Sequence, residues 1–304
     1  MASSSRSTLY ENLKLVDTVA KVKTTVKELR RQKEISVDCE GNNLSREGTL
    51  DILIIGTVNR KVFLFDITKM GVSAFDAGLR DLLESGCDVM AKLMYDCRND
   101  SDALMHLYDV KLAGVLDLQL VEIDSRRKSK QNHWFLKGLK KSIEVYDHDE
   151  KSERTKKNGT EQIEDAKRNG TTIWDKRPLS PDLKDYCAVD TVKLFSLLKV
   201  FRKKMEREKM LEASERYVDY FRSYETFPET KFYRHGFLPD EILRSNPRDP
   251  KVQYNDCQGC KKKFKRARLD LVNAGEKKRA NFCSCCSRII TRIENQPIPS
   301  QSFA

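Results

Sequence analysis

The sequence contains no apolar run long enough to cross a membrane. None of its 304 residues belong to a stretch approaching the roughly 18 consecutive apolar residues of a transmembrane helix. The N-terminal segment also lacks the apolar core of a secretory signal peptide. We therefore expect an intracellular protein, nuclear or cytoplasmic, with no membrane partner. In a reducing compartment, its nine cysteines are expected as free thiols or metal ligands before disulfides.

The sequence is also poor in apolar residues, at 39%, and rich in charged residues, at 34%. Short apolar runs such as Ile52–Ile55 and Val62–Phe65 nevertheless recur along the chain. This pattern predicts a globular protein with a heavily solvated surface, because a disordered chain would lack such runs. The length leaves room for one large domain or two.

The net charge of +11 is concentrated near the C-terminus. Residues 251–304 hold 12 Lys and Arg against 4 Asp and Glu, whereas residues 1–250 hold 45 against 42. The same C-terminal segment contains five of the nine cysteines. The other four are scattered, and we predict them to be small buried hydrophobic residues. They are Cys39, Cys87, Cys97 and Cys187. A near-neutral body is therefore expected to precede a basic, cysteine-rich module at 251–304, after a linker at 227–250.

Hydrophobic periodicity predicts the elements of the body. Apolar residues three or four apart between Asn12 and Gln32 predict an amphipathic helix in an N-terminal segment, residues 1–33. Three β-branched or aromatic runs follow and predict consecutive antiparallel strands. These runs are Ile35–Cys39, Thr49–Gly56 and Lys61–Ile67. Helix and strand patterns then alternate, so we predict an α/β domain with a mixed sheet over residues 34–226.

One segment of this domain, residues 124–172, has a different composition. A helix is predicted over Trp134–Tyr146, and the remainder has almost no apolar residues, which predicts an exposed, mobile insertion. Two Asn-Gly-Thr triplets, at Asn158 and Asn169, are predicted to form turns. Helical periodicity returns at Leu183–Leu198 and continues to about residue 222.

Two acids mark the end of the first predicted strand. Asp38 and Glu40 are alternate residues, so both side chains project from one face of the sheet and can share a cation. Neighbouring carboxylates repel each other and lose hydration unless a positive charge lies between them. An isolated Asp-x-Glu pair is more often a strand end that meets solvent, so the pair needs supporting residues elsewhere.

Three further residues supply that support. Asp100 follows the predicted strand Val89–Met94 at the start of a helix. Tyr186 and Asp190 are four residues apart on a predicted helix and therefore share one face. Asp190 lies among apolar neighbours, where a lone charge is costly. Together with the first pair, these residues suggest a metal-binding acidic cluster.

This set of motifs resembles that of the DEDDy 3′–5′ exonucleases, in the ribonuclease D-like branch of the ribonuclease H-like superfamily. The family's first motif is a strand carrying Asp-x-Glu, matched by Asp38 and Glu40. Its second is a strand followed by a helix with one Asp, matched by Asp100. Its third is Tyr-x-x-x-Asp on a helix, matched by Tyr186 and Asp190. The resemblance implies a ribonuclease H-like mixed β-sheet flanked by helices.

The resemblance covers roughly residues 34–201, with segment 124–172 as its weakest part. Arg177–Leu179 precedes the third motif, as is common in the branch, and Asp185 stands where a sister group carries His. In the second motif, a gapped alignment would place Asp102 in the role of Asp100. The spacing from Tyr95, which stands where many relatives have His, favours Asp100.

The family's chemistry is the metal-dependent removal of nucleoside 5′-monophosphates from a 3′ end, and ribonuclease D-like relatives lean toward RNA over DNA. Carboxylates select Mg²⁺ or Mn²⁺, and two such ions would hold the scissile phosphate. The resemblance implies that Asp38 bridges both ions and that Glu40 and Asp190 complete one of them. It also implies that Asp100 supports the other ion through water. Tyr186 would orient the attacking water.

A different class of function stays open. Some relatives of this branch resemble exonucleases but have lost acidic residues, which makes a non-catalytic or weakly catalytic RNA-binding adapter the alternative. All five motif residues are present in this sequence, and that favours catalysis.

The C-terminal module contains two Cys-x-x-Cys pairs separated by 22 residues, Cys257 with Cys260 and Cys283 with Cys286. Two such pairs bring four thiolates around one structural Zn²⁺. The spacing is slightly longer than the common range of about 15–20 residues, and Cys285 offers a competing fourth ligand. The alternative is a set of buried or free thiols.

Basic residues fill the space between the two pairs, interleaved with Phe264 and Leu269. They are Lys261, Lys262, Lys263, Lys265, Arg266 and Arg268. We predict that they contact nucleic-acid phosphates. A solvated face or a nuclear-import signal is the alternative for this run. Protein binding through the module or through the N-terminal helix is also kept open.

Overall fold

The computed structural model describes most of the chain. The described residues are 12–133, 135–203, 205–223, 242–243, 254–259, 263–265, 269–273, 279–283 and 286–290. They fall into two units. The first consists of the described residues up to 125 together with 137–223, and the second of 126–136 together with the described residues after 223.

Apolar runs build a six-stranded mixed sheet in the first unit, with strand order β1-β4-β3-β2-β5-β6. The strands are β1 (Leu13–Val16), β2 (Glu34–Glu40), β3 (Ile52–Thr57), β4 (Val62–Asp66), β5 (Ala91–Met94) and β6 (Val115–Asp117). β3 pairs antiparallel with both β2 and β4, and the other three pairs are parallel. All residues of β3 and β4 are buried, as in strands covered on both faces. The predicted mixed sheet with three consecutive antiparallel strands is therefore confirmed.

The N-terminal segment differs from its prediction. Leu13–Val16 forms a strand that pairs in parallel with Val62–Phe65. The helix begins only at Val19, where the side chain of Thr18 accepts a hydrogen bond from the backbone N–H of Lys21. The prediction of a helix from Asn12 was thus wrong for the first strand, in which Leu13 and Leu15 alternate with polar Lys14 as strand residues do.

Helices flank the sheet on the first unit. They are α1 (Val19–Leu29), α2 (Ile67–Met70), α3 (Val72–Ala74), a π-helical turn (Phe75–Leu79), α4 (Arg80–Glu84), α5 (Arg98–Tyr108), α6 (Leu118–Lys128), α7 (Leu139–Tyr146), α8 (Glu150–Arg168), α9 (Pro181–Phe201) and α10 (Arg207–Arg222). Helix α9 packs on β2, β3 and β4, and α10 packs on α5 and β6. No described helix is long and apolar enough to cross a membrane.

Segment 124–172 also differs from its prediction. The expected mobile insertion is instead largely helical, and its longest helix, α8, packs along α9. The Asn158 triplet lies inside α8 and forms no turn, whereas Gly170, with a φ of 61°, lies in the turn that follows the helix. The helix predicted from Trp134 begins only at Leu139, and Trp134 itself lies outside the described residues. The buried positions of α8 share one face, and most are polar or small, so hydrophobic periodicity did not reveal it.

The second unit contains two short antiparallel pairs. Strand β7 (Tyr254–Asp256) pairs with β8 (Lys263–Lys265), and β9 (Leu269–Asn273) pairs with β10 (Arg279–Cys283). The linker predicted at residues 227–250 lies outside the described residues, apart from 242–243. The division of the chain into an exonuclease domain, a linker and a C-terminal module stays a prediction.

Candidate active site

Strand register places the two acids of the first motif on the face of the sheet that α9 covers. Asp38 pairs with Ile54, and Glu40 pairs with Ile52. Residues directly opposite each other on neighbouring strands project from the same face. Ile52 and Ile54 belong to the apolar cluster that packs against Leu183 and other residues of α9. Both acids are half-buried.

Helix α9 brings the third motif to this face. Its first turn is set by Ser180, whose side chain accepts the backbone N–H of Leu183, and by a proline at the first helical position. Tyr186 and Asp190 lie one turn apart further along the helix, and Asp190 is buried. One carboxylate oxygen from each of Asp38, Glu40 and Asp190 lies within 4.8 Å of the other two. The structure therefore brings together three of the four predicted acidic ligands.

The fourth acid, Asp100, lies in the first turn of α5. The turn before this helix is fixed by Asp117, whose side chain accepts the backbone N–H groups of Asp96 and Cys97. Asp100 is buried, and among the described residues its Oδ1 atom has no hydrogen-bond partner. After burial and the charge of Glu40, the charge of Asp100 contributes to raising the pKa of Asp38.

Asp102, the alternative acid of the second motif, is engaged elsewhere. It accepts hydrogen bonds from the backbone N–H and the guanidinium group of Arg46. Asp102 is thus held by Arg46, whereas an oxygen of Asp100 has no hydrogen-bond partner among the described residues, which favours Asp100 as the acid of the second motif. The assignment of individual catalytic roles stays a prediction.

The acidic cluster resists ionisation because its carboxyl groups lie close together in a site where Asp190 is buried and Asp38 and Glu40 are half-buried. Burial, followed by the charge of Glu40, raises the pKa of Asp38 well above its usual value. Burial and the charge of Asp190 raise the pKa of Glu40 to about 8. Burial raises the pKa of Asp100 to about 7. A divalent cation would relieve this repulsion, and the all-oxygen donor set with its unpartnered Asp100 oxygen fits Mg²⁺ or Mn²⁺.

A lysine that the sequence did not suggest lies in the same cluster. The Nζ atom of Lys156, on α8, lies 2.7 Å from Oδ1 and 2.5 Å from Oδ2 of Asp190. Only 7% of the lysine side chain is exposed. The signal available in the sequence was a helix face of small and polar residues that includes Ser152, Thr155 and Gly159, which does not stand out in a hydrophobicity pattern.

The ring of Tyr186 lies between an aromatic side chain and the lysine of α8. Its ring centroid lies 6.2 Å from that of Trp174 and 3.4 Å from Nζ of Lys156. Burial, followed by the charge of Glu40, raises the pKa of the phenol well above its usual value. The phenol is therefore protonated at neutral pH, which suits it to forming hydrogen bonds and not to acting as a general base.

A second cluster lies in the C-terminal unit. The sulfur atoms of Cys257, Cys283 and Cys286 lie within 4.8 Å of one another, and all three residues are buried. The backbone N–H of Cys283 points to the sulfur of Cys257 at 3.2 Å, and that of Cys286 to the sulfur of Cys283 at 3.4 Å. Three convergent thiols fit Zn²⁺. Cys260 and Cys285 lie outside the described residues.

The basic residues of this module are mostly not described. Lys261, Lys262, Arg266 and Arg268 lie outside the described residues, and Lys263 and Lys265 are described only as part of β8. Among the four scattered cysteines, Cys39, Cys97 and Cys187 are buried as predicted. The prediction was wrong for Cys87, which is exposed.

Comparison with known proteins places this geometry in a family. The sequence model of the 3'-5' exonuclease family matches residues 13–206, which include β1, the whole acidic cluster and α9. The chain is also 31% identical over 182 residues to the piRNA biogenesis protein EXD1 of Mus musculus, covering 56% of this chain and 29% of that protein. It is 39% identical over 95 residues to EXD1 of Homo sapiens, covering 31% of this chain and 18% of that protein. The chain thus spans less than a third of the length of these two relatives.

Solved structures share the fold. The Trypanosoma brucei RNase D structure superposes with a TM-score of 0.57 at 22% identity, covering 70% of this chain and 74% of that chain. The GMP complex of the same enzyme gives a TM-score of 0.62 at 18% identity and covers 90% of both chains. The Escherichia coli RNase D structure gives a TM-score of 0.52 at 16% identity, covering 73% of this chain and 53% of that chain. The fold is therefore ribonuclease H-like. Since the family match extends over well over half of the chain and includes the strand and helix that carry its acids, this protein belongs to the 3'-5' exonuclease family.

Proposed function

We propose that this protein is a metal-dependent exonuclease that hydrolyses phosphodiester bonds from the 3′ end of RNA, in preference to DNA, and releases nucleoside 5′-monophosphates. The observation that carries the proposal is the convergence of carboxylate oxygens from Asp38, Glu40 and Asp190 within 4.8 Å of one another. Acids gathered at such a distance are costly to ionise without a cation, and the chain contributes them from two separate elements.

The acidic residues would hold the metal ions. Asp38, Glu40, Asp100 and Asp190 offer oxygen ligands suited to two Mg²⁺ or Mn²⁺ ions. When bound, such ions acidify a coordinated water and offset the negative charge of the phosphodiester.

Tyr186 contributes to the same site in a different way. Its phenol is protonated, because burial raises its pKa, so it would position the attacking water or a phosphate oxygen through a hydrogen bond. Its ring packs near that of Trp174, at 6.2 Å between centroids, which helps to fix its orientation. Tyr186 is therefore proposed as a positioning group beside the metal ligands.

The preference for RNA is supported by the relatives. The curated relatives are named as piRNA biogenesis proteins, and one of the solved Trypanosoma brucei RNase D structures is a complex with RNA U12. The proposal transfers this substrate class to the present chain.

The C-terminal module is proposed to help hold nucleic acid. One Zn²⁺ would be bound by Cys257, Cys260, Cys283 and Cys286, with Cys285 as the alternative fourth ligand. The metal would supply folding energy to a module with little apolar core. Its basic residues between positions 261 and 268 would contact phosphates. Protein binding through this module or the N-terminal helix is the competing role.

A second function is favoured by one observation. Lys156 forms an ion pair with Asp190 inside the acidic cluster, so the site as described is closed by a side chain of the protein. A chain that keeps this arrangement permanently would bind RNA without cutting it and would act as an adapter. The two functions differ in whether divalent metal ions enter the cluster.

The proposal is tested with 5′-labelled single-stranded RNA and DNA of identical sequence. Each is incubated with the full-length protein in Mg²⁺, Mn²⁺ or EDTA. We expect a ladder of 3′-shortened RNA with either metal, weaker trimming of DNA, and none in EDTA. Asp38→Ala should abolish the ladder while retaining the circular dichroism spectrum of the parent. RNA binding without any ladder would support the adapter, and a fully active, folded Asp38→Ala protein would refute the site.

A further inference from the structure

Helix α8 packs along α9 and places one lysine against the acidic cluster. The ammonium of Lys156 contacts both carboxylate oxygens of Asp190, at 2.7 and 2.5 Å. The same ammonium lies over the ring of Tyr186, 3.4 Å from its centroid. Its charge also acts on Asp38 and Glu40. One side chain therefore engages both residues of the third motif and influences both acids of the first.

A glycine permits this close approach. A Cβ atom at Gly159 would lie 2.5, 2.7 and 2.8 Å from Cδ2, Cβ and Cγ of Tyr186. These distances are too short for any side chain, so the contact requires glycine. Gly159 and Lys156 are three residues apart and lie on the same face of α8. The helix thus closes over Tyr186 at the same place where it inserts the lysine.

Polar contacts hold α8 against α9 at both ends. Near its start, Lys193 of α9 pairs with Asp149, the residue that caps α8. Near its end, Gln162 donates to Asp182 at 3.0 Å and accepts from Ser180 at 2.8 Å. The buried face between these contacts is mostly polar or small. Ile163 and Ala166 add apolar contacts, and a helix held largely by polar contacts opens locally at a lower cost than a core helix.

We propose that α8 is an autoinhibitory cover, in which Lys156 competes with the divalent cation for Asp190 and must leave before metal and a 3′ end can enter. An ammonium within hydrogen-bond distance of both Asp190 oxygens occupies space and acceptor sites beside the carboxylate that a metal ion would bind, and the two cations repel each other. The inference rests on the proposed function only in taking Asp38, Glu40 and Asp190 as metal ligands.

The first test compares Mn²⁺ binding to the full-length protein with binding to two lysine variants, measured by the electron paramagnetic resonance signal of free Mn²⁺. Lys156→Met removes the competing charge. Lys157→Met is the matched control, because Lys157 is 74% exposed and pairs with Glu161, at 3.9 Å, on the helix surface. We expect Lys156→Met to tighten Mn²⁺ binding by on the order of 10-fold or more, since a covered site binds in proportion to its open fraction. Lys157→Met should bind as the parent does.

A second variant preserves the charge, because removing a lysine makes any acidic site more attractive to a cation. Gly159→Ala keeps the lysine in the sequence, but the added methyl group forces α8, and Lys156 with it, away from Tyr186. We expect tighter Mn²⁺ binding and faster amide hydrogen exchange over residues 150–168. Adding Mn²⁺ to the parent protein should also accelerate exchange over the same residues, since metal and cover exclude each other.

The possible results distinguish the autoinhibitory role of α8 from the proposed exonuclease activity. Unchanged Mn²⁺ affinity in both Lys156→Met and Gly159→Ala would overturn the cover, as would Mn²⁺ binding to the parent without any change in exchange over α8. RNA trimming by the parent together with either result would leave the proposed function standing. Tighter Mn²⁺ binding in both variants without RNA trimming would support the cover and overturn the nuclease.

Discussion

The half-buried Arg46 forms an ion pair with the buried Asp102, and this pair distinguishes Asp102 from Asp100, the other candidate acid of the second motif. The backbone N–H of Arg46 lies 2.7 Å from Oδ2 of Asp102, and its Nε and Nη2 atoms lie 2.9 and 2.7 Å from Oδ1. The side chain of Asp102 is fully buried, so its charge is neutralised inside the protein. Asp100, two residues earlier on the same helix, has an oxygen with no such donor among the described residues.

This difference predicts that substituting Asp102 lowers stability, whereas substituting Asp100 removes the response to Mn²⁺. Asp102→Ala should lower the free energy of unfolding by about 3 kcal/mol, because it removes the buried carboxylate that accepts three hydrogen bonds from Arg46. Asp100→Ala should leave stability within about 1 kcal/mol in EDTA and abolish the stabilisation that Mn²⁺ provides. Urea unfolding with and without Mn²⁺ measures both effects. The reverse pattern would move the ligand role to Asp102.

The raised pKa values predict how stability depends on pH without metal. The native state keeps a proton on Glu40 up to about pH 8, whereas the unfolded chain releases it near 4.5. Between these values the unfolded state binds fewer protons, so stability falls as pH rises. Asp100 likewise lowers stability as the pH rises from 3.8 to about 7, because its pKa is raised over this interval in the native state. The loss should reach at most about 1.4 kcal/mol per pH unit for each retained proton.

Urea unfolding in EDTA across this pH range measures the effect, and Glu40→Gln is the control because it cannot release a proton. The variant should show a flatter profile than the parent. Adding Mn²⁺ should stabilise the parent more at the alkaline end, where the ligands ionise most readily. A parent whose stability rises with pH over this interval in EDTA would contradict the electrostatic description of the cluster.

The convergent thiols predict one bound zinc ion for each chain. Cys283→Ser should remove that zinc, since Cys283 is one of three buried cysteines whose sulfur atoms meet. Cys87→Ser is the matched control, because Cys87 is exposed and lies outside this cluster. Elemental analysis of the purified full-length protein gives the stoichiometry. Zinc retained in the Cys283→Ser protein, or absent from the parent, would refute the site.

Much of the sheet and of the acidic cluster could be predicted from the sequence. Alternation along β2 places Asp38 and Glu40 on one face, and the four-residue spacing of Tyr186 and Asp190 places both on one face of α9. These are local periodicities, which the sequence carries directly. The structure then joins the two elements through strand register and helix packing.

The cover could not be predicted in the same way. Helix α8 buries Lys156 and Gly159 where hydrophobic periodicity expects apolar side chains. Their environment depends on contacts with Asp190 and Tyr186, which lie about 30 residues away in the sequence. Such pairings are specific to the tertiary structure, so composition alone favoured an exposed segment. The strand Leu13–Val16 was missed for a related reason, because its identity depends on pairing with β4.

The central claim is hydrolysis at a 3′ end by the metal-loaded acidic cluster, and mass spectrometry of the released product tests it most directly. The full-length protein and its Lys156→Met and Asp38→Ala variants are each incubated with a single-stranded RNA that has a 3′ hydroxyl, in Mn²⁺. We predict nucleoside 5′-monophosphates, beginning with the 3′-terminal nucleotide, from the parent and in larger amount from Lys156→Met, and none from Asp38→Ala. Failure of both the parent and Lys156→Met to release any mononucleotide, while both bind Mn²⁺ and RNA, would contradict the claim.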